Sequence, residues 1–178
     1  MHHHINLNQL TMRKLSTLKT IADILFVLTM IGAVIGLPFI LMLAVMPEQV
    51  PFTLNENLES IGGWELIIIL LIVYLGALFF VYALYLFRKT LDLFRKRIIF
   101  DNRVIKNFDQ IGKAILIGYF IIFTMYVFTW FTDNTHEIKF NIGWNNTLFT
   151  IGLGLFFIVL SEVFQMGKNL KEENEQTI

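Results

Sequence analysis

The chain of 178 residues contains no cysteine. It therefore forms no disulfide, holds no thiolate-bound metal or iron–sulfur cluster, offers no thiol nucleophile and takes no palmitate on Cys. Charge is scarce: Asp, Glu, Lys and Arg make up 16% of the residues, against about a quarter in a soluble domain. Histidine is nearly absent too. His2, His3, His4 and His136 all lie outside the long apolar runs, which excludes a haem held by two histidines within them. His2–His4 read as a tag remnant or a disordered terminus, and His136, beside Asp133 and Glu137, as loop polarity. No nucleophile–base pair or metal-ligand spacing occurs, so no enzyme, cofactor or metal site is expected.

What the chain does have is apolar length. Hydrophobic residues account for 56% of it, and its mean hydropathy is +0.64. A helix crossing the hydrocarbon core needs about 20 apolar residues. Charge-free runs of that order lie between Asp23 and Glu48, between Glu65 and Arg88, and between Lys113 and Asp133. A shorter fourth run extends from Thr147 through Phe164. The first run exceeds the roughly 7–15 residues of a signal-peptide core and is followed by no small-residue cleavage site, so it reads as a retained span. The expected fold is all-α: a four-helix transmembrane bundle in one membrane domain, residues 1–178, with spans near 21–46, 66–87, 113–132 and 147–164.

Thirteen of the 14 Lys and Arg residues flank one end of these spans; Lys139 alone lies at the other. The positive-inside rule then places both termini, the middle loop 88–112 and the tail 165–178 in the cytoplasm, with the chain in the inner membrane. Trp64, Trp130 and Trp144 fall at the opposite interface, where an indole buries its ring and keeps its N–H wet. Two outer segments, Val50–Phe52–Leu54 and Ile138–Phe140–Ile142, alternate with period two and could pair as a small two-strand element.

The middle loop carries most of the basic charge. The second helix is expected to run to about Arg95, with a turn near Ile98–Phe100. Asp101 or Asn102 would cap the next helix. Val104, Ile105, Phe108 and Ile111 would form its apolar stripe. Anionic lipid headgroups are the natural partner of so basic a segment, ahead of a soluble acidic protein. Direct nucleic-acid binding is not expected, because no recognition motif is present and Asp92, Asp101 and Asp109 dilute the charge.

The phrase Phe100-Asp101-Asn102 followed by Ile111-Gly112, together with Ser161-Glu162-Val163-Phe164, Gly167, Leu170 and Glu172-Glu173, resembles the DUF2975 family of four-span bacterial membrane proteins. The resemblance covers spans 2 to 4, and span 1 by position. One departure matters: Arg97-Ile98-Ile99 stand where relatives often carry Gly and Pro. The resemblance implies no settled activity. It implies a possible partner, a small DNA-binding regulator, and marks Phe100, Asp101, Asn102, Gly112, Glu162, Phe164 and Gly167 as structural or interaction residues.

Glu162, near the hydrocarbon boundary, is expected to pair with Arg88, Arg95 or Lys113, since an unpaired charge there is costly. Gly32 and Gly36, and Gly152 with Gly154, are the expected points of close helix approach, and Pro38 a possible kink. The functional expectation is a non-enzymatic regulatory or sensory membrane protein acting through its basic loop and tail. A small transporter or channel component is the alternative. The oligomeric state is left open.

Overall fold

The structure, a computed structural model, describes residues 2–45, 63–132 and 144–176. Four helices account for nearly all of them: α1 (His2–Val45), α2 (Gly63–Arg95), α3 (Asn102–Thr132) and α4 (Trp144–Gln176). All four are long and apolar enough to cross a membrane. The two alternating segments expected as strands lie outside the described residues, as do His136 and the side chains of Trp130 and Trp144; no strand occurs among those described. Helix α1 reaches back to His2, so the expected disordered terminus is helical, and it continues through Pro38 without interruption.

Helices adjacent in sequence are adjacent in space: α1 packs on α2, α2 on α3, and α3 on α4. Helices α2 and α3 share one core of Ala83, Leu86, Leu93, Val104, Phe108, Ile111, Ala114 and Ile115, and α4 packs against it through Phe157, Leu160 and Phe164. Helix α3 is the central one, and 39% of its most apolar stretch is buried against 6% for α1. Lipid tails are as apolar as leucine, so helices in a membrane are held by close packing and hydrogen bonds and not by exclusion from water.

That close packing runs through four glycines. A methyl group at Gly76 would fall 3.0 Å from the Gly118 carbonyl oxygen, and one at Gly118 would fall 2.8 Å from that of Gly76. This is the α2–α3 crossing. At the α3–α4 crossing a methyl group at Gly112 would lie 2.6 Å from the Gly154 oxygen. The glycine pair expected in α1 does not form such a crossing. A methyl group at Gly36 would fall 3.3 Å from the Tyr74 ring, and Gly32 has open space beside it, as does Gly152. A helix tolerates glycine on any face, and only the neighbour decides which glycine is a contact.

Polar bonds add to the same interfaces. Tyr74 donates from its hydroxyl to the Ala33 carbonyl at 2.8 Å, tying α2 to α1. Asn107 Nδ2 donates to Thr90 Oγ1 at 3.1 Å inside the α2–α3 interface, and Thr90 passes its own proton to the Leu86 carbonyl. Ser161 Oγ donates to the Ile105 carbonyl at 2.9 Å between α4 and α3. Thr90, Asn107 and Ser161, the buried polar residues among those described, are thereby each hydrogen-bonded, as an apolar surround demands.

Gly112→Val should therefore cost about 1–3 kcal/mol, the range for an overpacked contact against backbone that cannot rotate away, whereas Gly152→Val should stay within about 0.5 kcal/mol. Unfolding of both variants in mixed detergent checks this; equal losses would refute the assigned crossing.

Candidate functional site

The densest set of specific contacts lies at the basic end of the molecule, where the α2–α3 connection meets the last turns of α4. The local sequence explains the connection. Helix α2 stops in a Schellman motif: Ile98 N–H donates to the Leu93 carbonyl at 3.0 Å and Arg97 N–H to the Phe94 carbonyl at 2.9 Å. Such a motif needs one residue in the left-handed region, and here it is Arg97, at φ 62°. Arginine holds the same turn at a steric cost, and Ile98 offsets part of it by packing on the core that contains Leu93.

Asp101 then starts α3. Its carboxylate accepts the Arg103 backbone N–H at 2.8 Å, an N-cap bond, and is gripped by the Arg103 side chain at 2.9 and 3.1 Å. The Arg103 guanidinium, followed by the capped N–H, holds the Asp101 carboxyl well below the usual carboxylate range, at about 2. The cap therefore stays ionised far below neutral pH.

Aromatic rings carry the connection across to α4. Phe164 lies 5.2 Å from Phe108, 5.8 Å from Phe94 and 5.9 Å from Phe100, centroid to centroid. Phe100 in turn lies over Gly167, where a methyl group would fall 2.6 Å from Phe100 Cε1. At the next residue, Lys168 Nζ donates to Asn102 Oδ1 at 2.8 Å and pairs with Glu172 at 3.3 Å. Of the seven residues marked from sequence, Phe100, Asn102, Phe164 and Gly167 lie in the contacts between the connection and α4, Asp101 caps α3 beside them, and Gly112 meets α4 separately at Gly154.

Glu162 does not join them. It is exposed, with no ion pair among the described residues. The bases expected for it are taken elsewhere: Arg88 by Asp23, Arg95 by Asp92, and Lys113 by Asp109. Successive helix residues are turned by about 100°. The turn that aims Ser161 at the Ile105 carbonyl necessarily aims Glu162 outward.

A second cluster joins α1 to α2. Asp23 receives Lys19 at 3.1 Å and the Arg88 guanidinium, which also lies 5.0 Å above the Phe26 ring. Asp92 gathers Lys19 at 3.8 Å, Arg95 at 3.4 Å and Lys96 at 2.8 Å. Because α1 extends well before Asp23, that carboxylate lies well inside the helix. It is a mid-helix group facing α2.

No group of three His, Cys, Asp or Glu side chains comes together among the described residues. The arrangement joins helices and presents Lys89, Arg97 and Lys106 as exposed cations without an ion pair among the described residues. Sequence reasoning passed over Thr90, Asn107 and Tyr74. Asn107 had a signal: it lies three residues after Val104 and four before Ile111, so it belongs to the buried stripe.

An all-helical chain with four helices of spanning length defines the class of multi-pass helical membrane proteins. Within that class the chain belongs to the DUF2975 family, described as proteins of unknown function, whose model matches residues 48–178. The match takes in α2, α3 and α4 and begins after the end of α1. No curated protein and no solved structure matches the chain.

Two outcomes follow from this geometry. Arg97→Gly should raise stability by about 0.5–1 kcal/mol, because glycine relieves the left-handed strain and gives back part of that in chain entropy; a lowered unfolding midpoint would show that Arg97 contributes something else. Glu162→Gln should leave stability unchanged, while Ser161→Ala, which removes an interhelical hydrogen bond, should cost about 1–2 kcal/mol. The same unfolding assay separates the two, and a larger loss from Glu162→Gln would restore a structural role for that carboxylate.

Proposed function

We propose that this is a non-enzymatic regulatory or sensory protein of the cytoplasmic membrane, with both termini and the α2–α3 connection inside. The observation that carries the reading is the seating of the α4 tail on that connection through Phe100 on Gly167 and Lys168 on Asn102. A partner that grips the tail must shift the turn, and one that grips the turn must shift the tail. Exposed Lys89, Arg97 and Lys106 on the same end suit an acidic protein surface. A small DNA-binding regulator is the partner that the family resemblance suggests. No reacting group is needed for such a role, since the output is a change in what is held at the membrane.

The test has two arms. The chain has no native cysteine, so single cysteines report position without background. Those placed at Asn57 and Asn134 should react with an impermeant thiol reagent in intact cells, and one at the exposed Lys106 should not. Asn107 is unsuitable as a probe because it is buried. In the second arm, a helix-turn-helix regulator encoded beside the gene should co-purify with the wild-type protein and be lost with Gly167→Leu, which unseats Phe100. Labelling at Lys106 from outside would reverse the orientation. Equal recovery of the regulator with both proteins would sink the coupling, and solute flux through reconstituted protein would favour a transporter instead.

A further inference from the structure

The depth of Lys113 sets it apart from the other cations of the basic end. The α2–α3 interface gives two marks of level: Gly118 opposes Gly76, and Asn107 meets Thr90. Between them Lys113 falls level with Tyr82, and the two side chains do line one groove, with Phe79, Gln110, Ala114 and Ile117. Tyr82 is six residues short of Arg88, the first charge after the apolar run of α2, which is about 9 Å of helix. Lys113 therefore sits about 9 Å farther along the bundle than Arg88, on a side of α3 other than the one that carries the Gly112 contact with α4.

The groove has a polar lip and an apolar wall. Its cavity measures about 150 Å³, room for a phosphate group and well short of the roughly 300 Å³ at which sites for whole small molecules begin. Lys113 is 61% exposed and bonded to Asp109 at 2.8 Å, which leaves two of its three N–H donors unused. The Tyr82 hydroxyl and the Gln110 amide make no hydrogen bond among the described residues. One turn toward the helix start, at i−4 from Gln110, exposed Lys106 adds a cation without an ion pair. The stripe Lys106, Asp109, Gln110, Lys113 carries a net positive charge even with Asp109 counted against it. Phe79, Ala114 and Ile117 continue the groove toward the bilayer centre as bare hydrocarbon.

We propose that this groove between α2 and α3 binds an anionic phospholipid of the inner leaflet, its phosphate held by Lys113, Gln110 and Tyr82 and its acyl chain lying along Phe79 and Ile117. The proposal rests on the orientation given above, which the cysteine labels test separately. It differs from general attraction of the basic end to anionic headgroups, because it assigns one lipid to one groove. A cation held below the headgroup plane is expensive unless a counter-charge reaches it. Asp109 neutralises Lys113 in part, and a lipid phosphate drawn down between the helices completes the task.

Native mass spectrometry of the detergent-solubilised protein with added phosphatidylglycerol or phosphatidylcholine tests this. One phosphatidylglycerol should be retained in preference to phosphatidylcholine. Lys113→Gln should weaken that retention about fivefold, the contribution of one basic side chain near a lipid surface. Lys113→Arg should restore it, and Lys14→Gln, on α1 outside the groove, should leave it unchanged. Tyr82→Phe removes a single hydroxyl without touching the ion pair, so it should reduce retention even if Lys113→Gln fails to fold. Equal retention of the two lipids, or identical behaviour of wild type and Tyr82→Phe, would overturn the site. Complete displacement by inorganic phosphate would show that the ligand is a free anion and not a lipid.

Discussion

Everything at the basic end depends on how closely α3 approaches its two neighbours. The contact is backbone to backbone at Gly76 with Gly118 and at Gly112 with Gly154. In a bilayer there is no water to squeeze out between helices, so attraction comes from atoms that actually touch. A glycine crossing brings the helix axes close, and that closeness allows the short side chains of Thr90, Asn107 and Ser161 to reach across. A single methyl group at either crossing would separate the helices enough to break those bonds.

From the two crossings the rest follows outward. Once α3 is seated between α2 and α4, the rings of Phe94, Phe108 and Phe164 converge, and Phe100 is delivered over Gly167. The connection itself is short because both of its ends are defined chemically: a Schellman stop at Arg97 and an aspartate cap at Asp101. Helix α1 stands apart from this scheme. Besides ring contacts such as Phe26 with Tyr85, it joins through the Tyr74 bond to Ala33 and the ion pairs around Asp23 and Asp92, all on its α2-facing side. That its residues lie outside the family match agrees with a three-helix core to which α1 is added.

The same geometry sorts the charges into two kinds. Asp23, Asp92, Asp101 and Asp109 each consume cations in fixed pairs. The net neutrality of the chain therefore hides an uneven distribution, in which exposed Lys89, Arg97 and Lys106 are left over on one end. Those residual charges, and not the basic count as such, are what a membrane surface or an acidic partner would meet.

Much of this was open to a reader of the sequence. Four long apolar runs demand four helices, because only a helix satisfies its own backbone in lipid. The cap at Asp101, the stop near Arg95 and the Val104–Phe108–Ile111 stripe follow from local rules that need no partner. The Phe100-Asp101-Asn102 phrase and the Phe164 to Gly167 stretch were visible as family marks. What they do to each other was not, since they are 60 or more residues apart in the chain and touch only because α4 returns beside α3. Glu162 shows the limit most sharply. Its neighbourhood in sequence called for a cation, yet its orientation was decided by Ser161, whose bond to the Ile105 carbonyl turns the next residue outward. The glycines make the same point: Gly32, Gly76, Gly118 and Gly152 are alike as letters in apolar helices, and only the tertiary arrangement decides which two are crossings, because a missing side chain matters only where another backbone occupies its space.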